Sequence, residues 1–102
     1  MSTANWGGHD FTIYNPATTT WNNVSGVYIF AGIEADGLWH ASYIGVAESF
    51  KDRLSNHERW AEAQRRGATH VHALAVPLAG NRALIEQDLI ARYQPYLNTQ
   101  HK

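Results

Sequence analysis

Hydrophobic and polar positions along the chain fall into successive blocks with different periods. The run VSGVYIFAGI, residues 24–33, is apolar and β-branched almost throughout, the pattern of a strand covered on both faces. Asp36-Gly37 follows as a hairpin-turn signal, and WHASYIGV, residues 39–46, returns as a second strand. In SFKDRLSNHERWAEAQRRG, residues 49–67, the pairs Ser49/Asp52 and Ser55/Glu58 fit the capping-box spacing. That stretch predicts a short helix from about Phe50, a restart near Asn56 and a stop at Gly67, with Phe50, Leu54 and Ala61 on the buried side. HVHALAVPL, residues 70–78, reads as a third strand ending at Pro77, and a helix from about Asn81 to Tyr93 is forced to close by Pro95.

The order strand, strand, helix or helices, strand, helix predicts an α+β fold: a small three-stranded, mainly antiparallel sheet with helices packed on it. Residues 1–23 are rich in Thr, Asn, Gly and Trp and carry little charge. DFTIYNP within them reads as a short strand stopped at Asn15-Pro16, because the residue before proline is pushed out of helical geometry. The segment is expected to be an N-terminal arm or extra edge element, with the domain proper over residues 24–102.

Hairpin register makes a sharper statement. With Asp36 and Gly37 as the two central turn residues, Tyr28 opposes Gly45 and Phe30 opposes Tyr43. Tyr28 and Tyr43 then share one face, one diagonal step apart, and Gly45 leaves room beside the Tyr28 ring. A loop longer or shorter by one residue would send the two tyrosines to opposite faces.

The last helix carries an anomaly. Leu89, Ile90 and Tyr93 lie three, four and seven positions after Glu86, so a carboxylate sits within the apolar stripe. An isolated buried charge is costly and is normally paired or metal-bound. Spacing alone leaves two readings: Glu86 at the stripe's edge, reaching water or pairing with Arg82, or Glu86 as a ligand for a hard divalent cation.

Composition narrows the function classes. A chain of 102 residues with 44% hydrophobic and 17% charged positions is one ordinary globular domain. It has no cysteine, so disulfides and thiolate metal sites are excluded, which fits a reducing cytoplasm. No apolar run approaches the roughly 18 residues of a membrane span, and no signal pattern opens the chain. The net charge of −1 argues mildly against a tight, autonomous nucleic-acid binder. Residues 51–66 nevertheless hold Lys51, Arg53, Arg59, Arg65 and Arg66 against Asp52, Glu58 and Glu62, a local basic face able to track phosphates. The 4 Trp and the other aromatics are expected in the core.

Other titratable groups say less on their own. Arg53 and His57, four apart, are either a cationic, proton-transferring pair or a solvated helix face. His70 and His72 share one strand face at a zinc-compatible spacing, but without a third ligand a partly exposed strand face explains them. His9, His40 and His101 form no constellation. Nucleophile elbow, phosphate-binding glycine loop and helical HExxH patterns are all missing.

Taken together, Gly26-Val27-Tyr28 and Tyr43-Ile44-Gly45 resemble the name-giving motif of the GIY-YIG nuclease superfamily, with Val27 where the name has Ile. SFKDRLSNH then looks like that family's arginine helix, with Arg53 and His57 at the family's spacing. LIEQDLIARYQPYLN looks like its glutamate helix with the terminal Leu97-Asn98. The resemblance covers residues from about 24 to 98, and residues 1–23 match nothing in it.

The resemblance implies a divalent-metal-dependent endonuclease that hydrolyses phosphodiester bonds, with DNA as the expected substrate. By the same resemblance Glu86 is the sole protein ligand of one Mg²⁺ or Mn²⁺ ion and Tyr28 the general base for an attacking water. Arg53 holds the scissile phosphate, His57 assists proton movement near Tyr28, Tyr43 hydrogen-bonds within the site, and Asn98 holds the surrounding structure or the substrate. Affinity is expected to need the N-terminal arm, a homodimer or a partner protein. The rival readings are a nucleic-acid or protein binding module on the same fold with weak or no cleavage, and an accessory subunit active only with a partner. A module freed from chemistry has no physical need for Glu86.

Overall fold

A computed structural model describes residues 2–99; the domain end expected at 102, and His101, lie outside them. The elements are β1 (Thr3–Trp6), β2 (His9–Tyr14), β3 (Gly26–Ile33), β4 (Trp39–Ala47), α1 (Phe50–Leu54), α2 (Trp60–Arg65), β5 (His70–Ala75), α3 (Ala79–Tyr93) and α4 (Tyr96–Thr99). The strands form one sheet in the order β1-β2-β5-β3-β4, with every neighbouring pair antiparallel.

The α+β class holds, but the sheet has five strands rather than the three expected. Residues 3–14 make the difference. Gly7 and Gly8 have φ of 58° and 92°, and they join Trp6 and His9, which pair directly. Two consecutive positive-φ residues are what a two-residue primed turn demands, so β1 and β2 close as a hairpin. β2 then pairs with β5, which leaves β5 interior to the sheet.

β3 is buried on both faces, as its unbroken apolar run requires. One face carries Tyr28 and Phe30, packed with Phe50 of α1, Ala63 of α2, Val71 and Ala73 of β5, and Leu97 of α4. The other carries Val27, Ile29 and Ala31, packed with Ile44, with Trp6 and Phe11 of the first hairpin, and with Leu89 of α3. Ile85 and Ile90 of α3 flank this second layer.

The first hairpin also changes the reading of β5. His72, expected on a partly exposed face, is fully buried (0% exposed) beneath Trp6 and Trp39. Its Nδ1 accepts a 2.9 Å hydrogen bond from Trp6 Nε1, and its Nε2 is buried with no hydrogen-bond partner among the described residues. His70 packs edge-on against Trp39 and bonds Thr69, so the two imidazoles are held by aromatic packing and a hydroxyl.

Between β3 and β4 the turn is longer than expected. Gly37 N donates to Glu34 O, and Glu34 N to Leu38 O, so Ala35-Asp36-Gly37 is a three-residue loop with Gly37 at φ 78°. The pairs near the tip, such as Ile33 with Trp39, are therefore one residue out of the expected register. A β-bulge at Ser42 restores it: Phe30 pairs with Tyr43 and Tyr28 with Gly45. The predicted pairing at the two tyrosines stands because two one-residue departures cancel.

Along residues 49–67 the break splits the helix more widely than expected. Ser49 caps α1 by accepting from Asp52 N, but the second capping box does not form, because Ser55 Oγ turns back to Lys51 O. Residues 55–59 are non-helical and α2 begins only at Trp60. The reset phase puts Ala63, and not Ala61, in the core. α3 starts two residues before the expected Asn81 and ends at Tyr93, with Gln94 left-handed at φ 42°.

Candidate active site

Tyr28, from the middle of β3, is 1% exposed, with ring neighbours Phe30, Tyr43 and His57. Gly45 lies across the ladder from it. A Cβ at residue 45 would fall 2.5 Å from Tyr28 Oη and 2.6 Å from Cζ, so only glycine lets the phenol lie over β4. The break after α1 then brings His57 inward, nearly buried, with Nε2 2.7 Å from Tyr28 Oη.

His57 has a defined proton. Its Nδ1 accepts a 3.0 Å bond from the backbone N–H of Arg59. The neutral ring therefore carries its hydrogen on Nε2 and donates to Tyr28 Oη. Burial pulls its pKa down to about 4, and the charge of Arg53 adds to that, so the ring is neutral at pH 7. Burial also pushes the Tyr28 phenol well above its ordinary range, helped by Tyr43 and opposed by Arg53. Tyr28 is thus a neutral phenol, with His57 donating to its oxygen and the Tyr43 ring beside it.

Arg53, on α1, is half-buried and held end-on by Glu58, with Nη1–Oε2 2.7 Å and Nη2–Oε1 3.1 Å. That grip leaves the Nε–H and the outer N–H groups of the guanidinium for another acceptor. Glu58 is a functional neighbour the sequence reading missed, since it stands five residues after Arg53 across a non-helical break. The Arg59 backbone N–H and Trp60, packed edge-on against Phe30, were missed for the same reason. A helix restarting near Asn56, as expected from the sequence, hides all three, because the break runs on through Arg59.

Asn98, on α4, acts on β4, an edge strand. Its side-chain oxygen accepts from Ile44 N and its amide donates to Ile44 O, each at 2.8 Å, in the manner of a neighbouring strand. Ile44 lies between Tyr43 and Gly45, so the latch fixes the segment that faces Tyr28. Asn98→Ala is expected to cost about 2 kcal/mol, two hydrogen bonds at roughly 1 kcal/mol each. Chemical denaturation checks this, and an unchanged midpoint would show that the latch contributes nothing.

Glu86 stands apart. It is half-buried on α3, beside the Leu89–Ile90 stripe. The pairing with Arg82 does not form, because Arg82 donates to the carbonyls of Val76 and Pro77. Among the described residues no hydrogen bond or ion pair reaches Glu86, and burial alone raises its pKa. Tyr28, Tyr43 and His57 therefore form one contact cluster, which Arg53 approaches through Glu58 and Asn98 braces, and among the described residues no hydrogen bond or ion pair joins Glu86 to it.

His57 and His72 share a consequence for stability. Both have pKa values pulled down to about 4 by burial, so below the ordinary histidine value of about 6.5 the unfolded chain binds protons that the native state refuses. Stability is therefore full above pH 6.5 and falls as pH drops toward 4, by about 3 kcal/mol per histidine at the low end. Urea midpoints at pH 7.5 and 4.5 measure the effect. His72→Gln, which keeps an acceptor for Trp6 and removes one titrating group, should make the fall shallower.

Solved structures with this architecture exist. The GIY-YIG N-terminal endonuclease domain of UvrC from Thermotoga maritima, bound to magnesium as its catalytic divalent cation, matches with a TM-score of 0.59 and 24% identity. The match spans 74% of this chain and 83% of that one. Two point mutants of the same domain, also bound to the catalytic divalent cation, match with TM-scores of 0.60 and 0.57 at 24% and 25% identity, each over 74% of this chain and 82% of that one. The chain has the GIY-YIG endonuclease-domain fold. No family model and no curated protein matches it.

On the GIY-YIG fold, the two motif tripeptides sit side by side on β3 and β4, paired at Gly26–Ala47, Tyr28–Gly45 and Phe30–Tyr43. Among the described residues no three His, Cys, Asp or Glu side chains gather into a cage. Mg²⁺ needs none, since it keeps most of its waters and completes its shell from one or two carboxylates and substrate phosphate oxygens. The unpaired, half-buried Glu86 carboxylate fits such an ion.

Proposed function

We propose that this chain is a divalent-metal-dependent endonuclease that hydrolyses phosphodiester bonds in DNA. The observation that carries the reading is the Tyr28–His57 contact, buried at 2.7 Å with Arg53 and Tyr43 beside it, on a GIY-YIG fold. Tyr28 helps to fill the core, but a phenylalanine would fill the same space, so packing does not account for a hydroxyl set against a neutral imidazole.

Glu86 is the ligand proposed for one Mg²⁺ or Mn²⁺ ion, which when bound supplies Lewis-acid polarisation of the phosphoryl group. Arg53 binds the scissile phosphate through the donors that Glu58 leaves open and stabilises its developing charge. Tyr28 Oη receives the proton of the attacking water. As a neutral phenol it does so while its own proton passes to the neighbouring Tyr43, and Tyr43, partly exposed, gives up its own hydroxyl proton to solvent. His57 holds its Nε2–H against Tyr28 Oη throughout and so favours negative charge on that oxygen. Asn98 keeps Tyr43 and Gly45 in place.

Conversion of supercoiled plasmid to the nicked form tests the reading. Nicking is expected with Mg²⁺ or Mn²⁺ and none with the cation chelated; nicking that persists in chelator, or none under any condition, would overturn it.

A further inference from the structure

Where residues 15–24 cross the sheet, the side chains beneath them are small, Ala73 and Ala75 of β5. A hollow of about 200 Å³ remains there, walled by Tyr14, Trp21 and Phe50 and edged by threonine hydroxyls. A second hollow, about 290 Å³, shares Thr19, Thr20 and Trp21 with the first and adds Lys51. A third, about 140 Å³, shares Pro16, Leu54 and Ser55 with the second and ends on His57 and Trp60. The three make one track from an aromatic hollow, past a lysine, to the His57 side of the candidate active site. No Asp or Glu lines any of them, although the chain carries 9.

We infer that this track seats a single strand of nucleic acid, with one unpaired base in the hollow at Trp21 and its phosphate at Lys51, leading toward Arg53 and His57. The inference rests on the endonuclease reading and names its substrate as locally unpaired DNA. Aromatic walls take the face of any base, and stacking of this kind is worth roughly five- to hundredfold in affinity per base. Thr12 and Thr20 line the hollow with hydroxyls that can donate to or accept from a base edge, and Thr19, whose proton is held by Asn15 O, can accept. A base inside a duplex presents no free face and cannot enter, so the hollow selects for unpaired strand. Lysine meeting phosphate, in a track that no carboxylate lines, supplies the charge complement.

The test is binding of the full chain to a short end-labelled DNA strand, followed by fluorescence anisotropy in EDTA, where no cleavage occurs. The strand is expected to bind at least about tenfold more tightly than its own duplex. Lys51→Ala, at an exposed position, should weaken strand binding about fivefold and flatten its salt dependence. Ala75→Leu, which plugs the hollow from an exposed position, should weaken it by about fivefold without changing the salt dependence. An RNA strand of the same sequence runs alongside, and the tighter of the two names the source of the strand. Duplex bound as tightly as strand, or both variants binding as wild type, overturns the inference. Strand binding with these variant effects but no nicking in Mg²⁺ leaves the track standing and sinks the endonuclease reading. Nicking with unchanged variants does the reverse.

Discussion

Tyr28→Phe is expected to lower the nicking rate by about a hundredfold to ten-thousandfold, the range over which a positioned proton-transfer group acts. The ring is packed among Phe30, Tyr43 and His57, so phenylalanine fills the same space and the chain stays folded. Loss of the hydroxyl has a second signature. His57 Nε2–H, fixed in that tautomer by the Arg59 backbone, is left buried without its acceptor. That costs about 1–3 kcal/mol, so the thermal midpoint should drop by several degrees. A variant with full activity would falsify the role given to Tyr28. A variant with unchanged stability would show that the Tyr28–His57 bond contributes little to the native state.

Glu86→Leu is expected to abolish metal-dependent nicking while making the metal-free protein more stable, by about 1 kcal/mol. The two effects have one cause. A half-buried carboxylate with no partner among the described residues is held against its own solvation, and leucine extends the apolar stripe of α3. Added Mn²⁺ should raise the thermal midpoint of the wild type, because an ion that binds only the folded state stabilises it, and should leave the variant unmoved. If Glu86→Leu destabilises the protein, or if both proteins respond alike to the ion, Glu86 is structural and the metal lies elsewhere.

Much of the candidate site was legible in the sequence where its groups come from regular elements, which His57, in the break after α1, does not. Strand alternation placed Tyr28 and Tyr43 on one face, and the helical period set Glu86 in an apolar stripe. The pairing at the tyrosines came out as read, although the loop is one residue longer than a two-residue turn and the bulge at Ser42 takes up the difference. Nothing in residue type marks Ser42 as a bulge. The break after Leu54 had a signal in Ser55, but its extent did not, and with it went Glu58 as the clamp on Arg53. The N-terminal hairpin was readable: Gly7-Gly8 is a two-residue turn signal, and the short, threonine- and asparagine-rich flanks obscured it. Missing that hairpin made the sheet two strands too narrow and left His72 without the Trp6 that covers it.

The Ser42 bulge also separates two parts of the molecule for anyone who would rebuild it. Gly45 against Tyr28 and the Asn98 latch on Ile44 pin the register on the site side of the bulge, while the tip at residues 34–38 is tied by its own turn. The tip is thus an insertion port: a recognition loop or a short tag grafted there extends the hairpin outward, and the phase of Tyr28 and Tyr43 is set below it.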